Sequence, residues 1–230
     1  MNLPKTLSRQ IVLAAVCVLT LVAGISVGSR LPFFVTETTP SANGIVFDEP
    51  QAIGGFQLVD QNQGRFSVEN LRGVWSFVYF GFTRCSEPCP KTLAELQHLS
   101  DKLSGHSPND DVPVKFVFVS VDPERDTLPQ LKTFLQNLSP GLVGLTGDLD
   151  ELRILAAQIA APFKVNRDDS SELTIDHSYS IFLINPAAEF QAILTPPHEA
   201  SQQAADFRAI TNWRRGSYRH RAINHSKAPL

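Results

Sequence analysis

Cys85 and Cys89 stand four positions apart in Cys85-Ser86-Glu87-Pro88-Cys89-Pro90, and the chain has only one other cysteine, Cys17. If the first turn after the pair is helical, positions i and i+4 share a face and both sulfurs point to one spot. Pro90 suits a first helical turn, where its missing N–H costs little. Unpaired N–H groups and the helix dipole at such a start favour negative charge. Thiolate is therefore stabilised, and thiolate is both the metal ligand and the nucleophile. The pair offers two chemistries, metal binding and dithiol–disulfide cycling. Redox pairs commonly have two intervening residues, and the third one here favours a metal site. An inert disulfide, common in exported proteins, explains neither the place of the pair at a strand-to-helix junction nor the partner that follows.

That partner is His177, in Ile175-Asp176-His177-Ser178. It stands at the expected start of an apolar strand after a polar loop, where its ring can be carried to the cysteines. Asp176 is a candidate to orient the ring or add charge beside it. The other histidines, His98, His106, His198, His220 and His225, read as solvated. Two thiolates and one imidazole form a soft site that suits Cu(I) or zinc, and Cu(II) heads the divalent affinity series. Structural zinc usually takes four protein ligands, and no fourth is obvious. An open site of three ligands suits a metal that is passed on. Met1 is the only methionine, which excludes a Met-rich copper surface.

The elements that must position these residues follow from periodicity. Phe56 to Val59 and Arg65 to Ser67 form a hairpin across the turn Asp60 to Gly64. Val74 to Phe80 (VWSFVYF) and Val114 to Val121 (VKFVFVSV) read as strands buried on both faces. Pro90 to Leu103 is a helix with Leu93, Leu96, Leu99 and Leu103 on one side. Thr127 caps a helix over Leu128 to Leu138, with Pro129 in its first turn. Leu142 to Leu145 is a short strand, and Asp148 to Ala160 is a helix. Phe163 to Val165 and Ile175 to Ile184 read as strands joined by the polar loop Asn166 to Thr174. Phe190 to Leu194 is the last strand and Glu199 to Trp213 the last helix. The alternation describes an α/β sheet with helices on both faces. Ligand chemistry in such sheets sits at the carboxyl ends of the strands, where Gly81 to Cys89 lies. Asp122 ends a buried strand near the same place and is a candidate brace. Glu124-Arg125-Asp126 reads as a solvated turn with a local ion pair.

Ile11 to Gly28 carries no charge over about 18 residues, near the length of about 20 that a spanning helix needs. Lys5 and Arg9 precede it, so by the positive-inside rule the body is exported; a cleaved signal peptide is the rival, given the small Gly24, Ser26 and Gly28, but the apolar run exceeds the usual signal core and favours an anchor. The reading is thus residues 1–10 cytoplasmic, 11–28 a transmembrane anchor, 29–50 a linker, 51–213 the folded domain and 214–230 a basic tail. Arg214, Arg215, Arg219, Arg221 and Lys227 in that tail read as a frayed, solvated end, with anionic lipid headgroups as the sharper reading. The net charge of −3 shows no global basic excess and argues against a nucleic-acid partner.

The stretch Val78-Tyr79-Phe80-Gly81-Phe82-Thr83-Arg84-Cys85, followed by Cys89-Pro90, resembles the core motif of the Sco/SenC copper proteins. Phe118-Val119-Ser120-Val121-Asp122-Pro123-Glu124-Arg125-Asp126-Thr127 resembles that family's second motif, and Asp176-His177-Ser178 its third. The resemblance spans Phe56 to Trp213. It implies a thioredoxin-like fold, a central mixed sheet flanked by helices, behind one N-terminal transmembrane helix. It implies copper, as Cu(I) and also Cu(II), held by Cys85, Cys89 and His177. It further implies a membrane-anchored protein whose domain faces the extracytoplasmic side, the bacterial periplasm. The partner it implies is cytochrome c oxidase subunit II, or another copper-receiving protein, supplied with copper or with electrons for its cysteines. The rival from another class is an extracytoplasmic thiol–disulfide oxidoreductase or redox sensor using the same cysteines. Between the cysteines the family usually has Pro-Asp and an aliphatic residue, whereas this chain has Ser86-Glu87-Pro88. Pro88 fixes φ and removes an N–H, so the expectation is altered tuning with the ligands intact.

Overall fold

The computed structural model describes residues 19–20, 39–85, 89–103, 112–167 and 173–225. The anchor expected at 11–28 lies outside them, apart from Leu19 and Thr20, which are helical. Among the described residues no helix is long and apolar enough to cross a membrane.

The strands are β1 (Gly44–Ala52), β2 (Gln57–Asp60), β3 (Arg65–Ser67), β4 (Trp75–Gly81), β5 (Val114–Ser120), β6 (Val143–Thr146), β7 (Phe163–Arg167), β8 (Leu173–His177), β9 (Ile181–Ile184) and β10 (Glu189–Leu194). The helices are α1 (Cys89–Leu103), α2 (Leu128–Leu138), α3 (Leu149–Gln158) and α4 (Ala200–His225). Eight strands form one sheet in the order β1-β10-β9-β4-β5-β6-β2-β3, while β7 and β8 pair only with each other. The β4–β5 and β5–β6 pairs are parallel, and the flanking pairs are antiparallel. This is the mixed α/β sheet with helices that the alternation predicts.

β4 is buried at every residue. Successive side chains point to opposite faces, so Phe77 and Tyr79 join the core that contains the leucines of α1 and Phe207 of α4. Val78 and Phe80 join the other core, with Leu152 and Leu155 of α3. The helix starts follow capping chemistry. The Thr127 N–H donates to Gln130 Oε1 at 3.1 Å, and the Asp148 carboxylate accepts from the Asp150 N–H at 2.9 Å.

Three expectations change. The single strand read over Ile175 to Ile184 is two strands in different sheets, broken at Ser178 to Ser180. Its first half alternates, as a half-buried hairpin strand does, and its second half is buried at every residue, as a central strand is. The stretch read as linker up to Pro50 contains β1, which pairs with β10 at the edge of the sheet. Pro50 and an irregular register between Val46 and Gln51 are features an edge strand tolerates. Finally, the last helix does not end at Trp213 but continues as α4 to His225. Arg214, the first residue of the expected solvated tail, is only 4% exposed.

Candidate metal and redox centre

The centre is built on the carboxyl end of β4. Its last residue, Gly81, has room for no side chain: a Cβ there would stand 2.8 Å from Phe118 Cε2 and 3.6 Å from Cys89 Sγ. The chain then turns, with the Cys85 N–H donating to the Phe82 carbonyl at 3.1 Å. Asp126 fastens this turn to the neighbouring strand. Its carboxylate accepts from the Thr83 N–H at 2.8 Å, from the Thr83 hydroxyl at 2.6 Å and from the Ser120 hydroxyl at 2.6 Å. Asp126 has no exposed surface, which corrects the expectation of a solvated turn. Sequence reasoning missed it because its principal donor, Thr83, lies 43 positions away.

Cys85 and Cys89 are joined in a disulfide with their Cα atoms 6.1 Å apart. Cys89 is the first residue of α1 and is fully buried, whereas Cys85 is half-buried. His177 closes β8 opposite Phe163 and brings its Nε2 to 3.5 Å from Cys89 Sγ and 3.8 Å from Cys85 Sγ. The ligand atoms of Cys85, Cys89 and His177 all lie within 4.8 Å of one another, and no other such group of three occurs among the described residues.

The tautomer of His177 follows from its other nitrogen. Nδ1 lies 2.9 Å from the Ser178 carbonyl, which only accepts, so Nδ1 carries the proton and the Nε2 lone pair faces the sulfurs. Burial lowers the His177 pKa below the ordinary value of 6.5, against smaller upward pulls from the Ser178 hydrogen bond and the Asp176 charge. The neutral, ligand-competent ring is therefore favoured at neutral pH. Tyr79, Phe82 and Tyr179 box the imidazole with edge-to-face rings at 6.3, 5.8 and 5.0 Å. Burial also pushes the Tyr79 phenol up to about 12, a rise the Thr92 side chain partly opposes, so it stays protonated.

The two acids expected beside the site act differently, Asp176 by charge and Asp122 as a brace. Asp176 is exposed and accepts from Asn166 Nδ2 at 2.8 Å; its part at the histidine is charge alone, and Ser178 orients the ring. Asp122 is buried and ion-paired to Arg125 Nε, while its carbonyl accepts from the N–H groups of Arg125 and Asp126, so it braces its own turn. Of the histidines read as solvated, His98 is exposed but His198 is buried. His106 lies outside the described residues.

Two electrons cleave the closed S–S bond to two thiolates, which stand beside a free imidazole lone pair as metal donors or take up two protons as a dithiol. The sequence model described as SCO1/SenC matches residues 47–212, well over half of the chain. The chain belongs to the SCO1/SenC family. The SCO2-like protein of Rickettsia felis is 30% identical over 183 residues, 78% of this chain and 87% of that protein. The mitochondrial protein SCO1 homolog 1 of Arabidopsis thaliana is 36% identical over 149 residues. That match covers 64% of this SCO1/SenC chain but only 44% of the plant protein, so the chain spans under half of that relative. Among solved structures, Arabidopsis thaliana ScoI with copper bound superposes with a TM-score of 0.61 at 32% identity, covering 70% of this chain and 99% of that one. BsSco, described as a member of the Sco family of cytochrome c oxidase assembly proteins with a disulfide switch, superposes with a TM-score of 0.55 at 26% identity over 72% of this chain and 98% of its own. Relatives of this chain are thus copper-bound, and the chain carries a Cys-Cys-His group able to hold copper.

Proposed function

We propose that this SCO1/SenC protein carries copper as cargo on Cys85, Cys89 and His177 and passes it to a partner by ligand exchange. The reading rests on one observation above all, the approach of His177 Nε2 to 3.5 and 3.8 Å from the two sulfurs. Soft thiolates with one imidazole suit Cu(I), and Cu(II) fits the same donors. The partner is the binuclear copper site of cytochrome c oxidase subunit II or another copper-receiving protein. Residues 11–28 anchor the chain, and the domain faces the extracytoplasmic side, the bacterial periplasm. A second reading, thiol–disulfide exchange with the partner's cysteines, is favoured by the closed disulfide. The two readings share one gate, because the disulfide must be reduced before its sulfurs bind metal.

Metal analysis of the reduced protein tests this directly. The expected result is about one copper per chain, lost in Cys85→Ala and Cys89→Ala. In His177→Ala the affinity falls by more than the roughly 10–100-fold that follows loss of an outer partner. Undiminished copper binding in His177→Ala would falsify the three-ligand site. Rapid reduction of a disulfide substrate, unaffected by that substitution, would favour the oxidoreductase.

A further inference from the structure

Between β8 and β9 the residues Ser178, Tyr179 and Ser180 belong to neither sheet. This short segment nevertheless supplies two of the contacts that define the His177 ring. The Ser178 carbonyl accepts a hydrogen bond from Nδ1–H, and the Tyr179 ring stands 5.0 Å away at 72°. A segment without strand pairing needs another anchor to keep such contacts fixed. Ser180 N–H to Ser178 Oγ, at 3.1 Å, is internal to the segment and ties it to nothing else.

The external tie comes from the far end of the chain. His198, in the connection from β10 to α4, is 7% exposed, and its Nε2 lies 2.7 Å from the Tyr179 carbonyl. A carbonyl only accepts, so Nε2 carries the proton and the Nδ1 of the neutral ring is an acceptor. Gln203 Nε2, on α4 and 3% exposed, supplies the matching donor at 2.9 Å. The Gln203 Oε1 has no hydrogen-bond partner among the described residues, so the amide is turned by His198 and not by its own oxygen. One directed chain therefore runs from Gln203 through His198 to the Tyr179 carbonyl, two residues from the imidazole that faces the sulfurs.

We propose that His198 is a positioning residue: by holding the main chain at Tyr179 it fixes where the His177 ring stands relative to Cys85 and Cys89. It touches neither copper nor sulfur and acts through Tyr179 and Ser178. The proposal rests on the reading of Cys85, Cys89 and His177 as the working site. The same geometry also makes Tyr179 a shared wall, because it helps line the cavity of about 570 Å³ formed with Thr92, Pro197 and His198. Loosening the Tyr179 main chain loosens the ligand and the wall together.

The test uses the full chain and three variants. His198→Phe keeps an aromatic ring but has no donor. His198→Gln places an amide N–H near the position of Nε2. Gln203→Leu leaves His198 in place and removes the donor that holds its ring at Nδ1. The first readout needs no copper: the ¹⁵N spectrum of the His177 ring in the oxidised protein. The wild type is expected to show one tautomer, protonated at Nδ1. His198→Phe and Gln203→Leu are expected to show mixed tautomers, and His198→Gln the wild-type pattern. The second readout is copper affinity of the reduced protein. A fall of about tenfold or more in His198→Phe, the scale for an outer partner, and recovery to within about threefold in His198→Gln are expected. If His198→Phe fails to fold, Gln203→Leu carries both readouts. An unchanged His177 spectrum in every folded variant that lacks the donor chain overturns the proposal. A tautomer change in a protein whose wild type takes up no copper leaves the positioning role standing and overturns the copper reading instead.

Discussion

Asp126 is a carboxylate with no exposed surface, and such a group is tolerated only when donors saturate it. Three donors do so, and two of them belong to Thr83 in the turn that presents Cys85. Asp126→Ala leaves the Thr83 N–H and the Ser120 hydroxyl without their acceptor. The expected cost is about 1–3 kcal/mol per unsatisfied buried group, read as a lower urea midpoint with an unchanged slope. Thr83→Val, which removes one hydroxyl donor and keeps the backbone bond, should cost less than Asp126→Ala; the reverse order would rule out this account of the turn. Asp126 also marks how far single residues can be read. Cys85, Cys89 and His177 were legible because cysteine pairs and a histidine beside an apolar stretch are few in this chain. The residues that hold them were not. An aspartate in Glu124-Arg125-Asp126 looks solvated until a partner 43 positions away is placed on it, and the choice between orienting group and nearby charge for Asp176 is open until the Ser178 carbonyl is found at the ring. Residue type announces chemistry, whereas support depends on distant pairing that local pattern does not encode.

The elements tell the same story at longer range. Strands buried on both faces and helices with a leucine stripe were legible from periodicity, since β4, β5 and α1 owe their form to local pattern. β1 and the continuation of α4 past Trp213 were not, because β1 has only a short apolar run before Asp48-Glu49-Pro50 and Arg214 is buried by contacts with distant elements. Arg214 shows how. Its guanidinium lies 3.4 Å from the Asp48 carbonyl of β1 and 3.7 Å from the Glu189 carboxylate of β10, and the Trp213 ring lies 5.5 Å from its carbon. Asn43 adds a second tie: its N–H donates to Asp206 of α4 at 3.1 Å and its side chain donates to the Thr195 carbonyl at 2.9 Å. α4 therefore clamps the edge of the sheet. A chain ended after Trp213 is expected to lose about 1–3 kcal/mol relative to one ended after Gly216, on the scale of hydrogen bonds to a charged group and of partners left unsatisfied. Urea unfolding of the two truncations decides it. Equal midpoints would return Arg214 to the solvated tail that its neighbours Arg215 and Gly216 suggest in sequence.

For the whole molecule, the half-buried His177 and the buried His198 join the fold to the state of its site. Burial lowers the pKa of both His177 and His198 below the ordinary 6.5, with backbone hydrogen bonds from Ser178 and Tyr179 pulling the other way. The sign of the consequence follows from linkage. Above about pH 7.5 both rings are neutral in the folded and unfolded chains, and they contribute almost no slope. As the pH falls below that value the unfolded chain takes up protons that the folded chain refuses, so stability drops. The drop from these groups ends once the pH has passed their lower folded values. Carboxylates in model peptides ordinarily titrate near pH 4, below the histidine window. The oxidised protein, in which Cys85 and Cys89 do not titrate, should thus have nearly constant urea stability from pH 8 to about 7.5 and a declining one below it. His198→Gln removes one titrating ring while keeping a donor toward Tyr179, so it should flatten part of that decline and leave the plateau nearly in place. His177→Gln should remove a further part, and the double variant most of it. Parallel decline in the wild type and the double variant between pH 6.5 and 5 would mean that other groups carry the slope. Protons arriving at Nε2 of His177 also occupy the lone pair that faces the sulfurs, so copper affinity of the reduced protein must fall over the same direction of pH, and the fold and its cargo site weaken together.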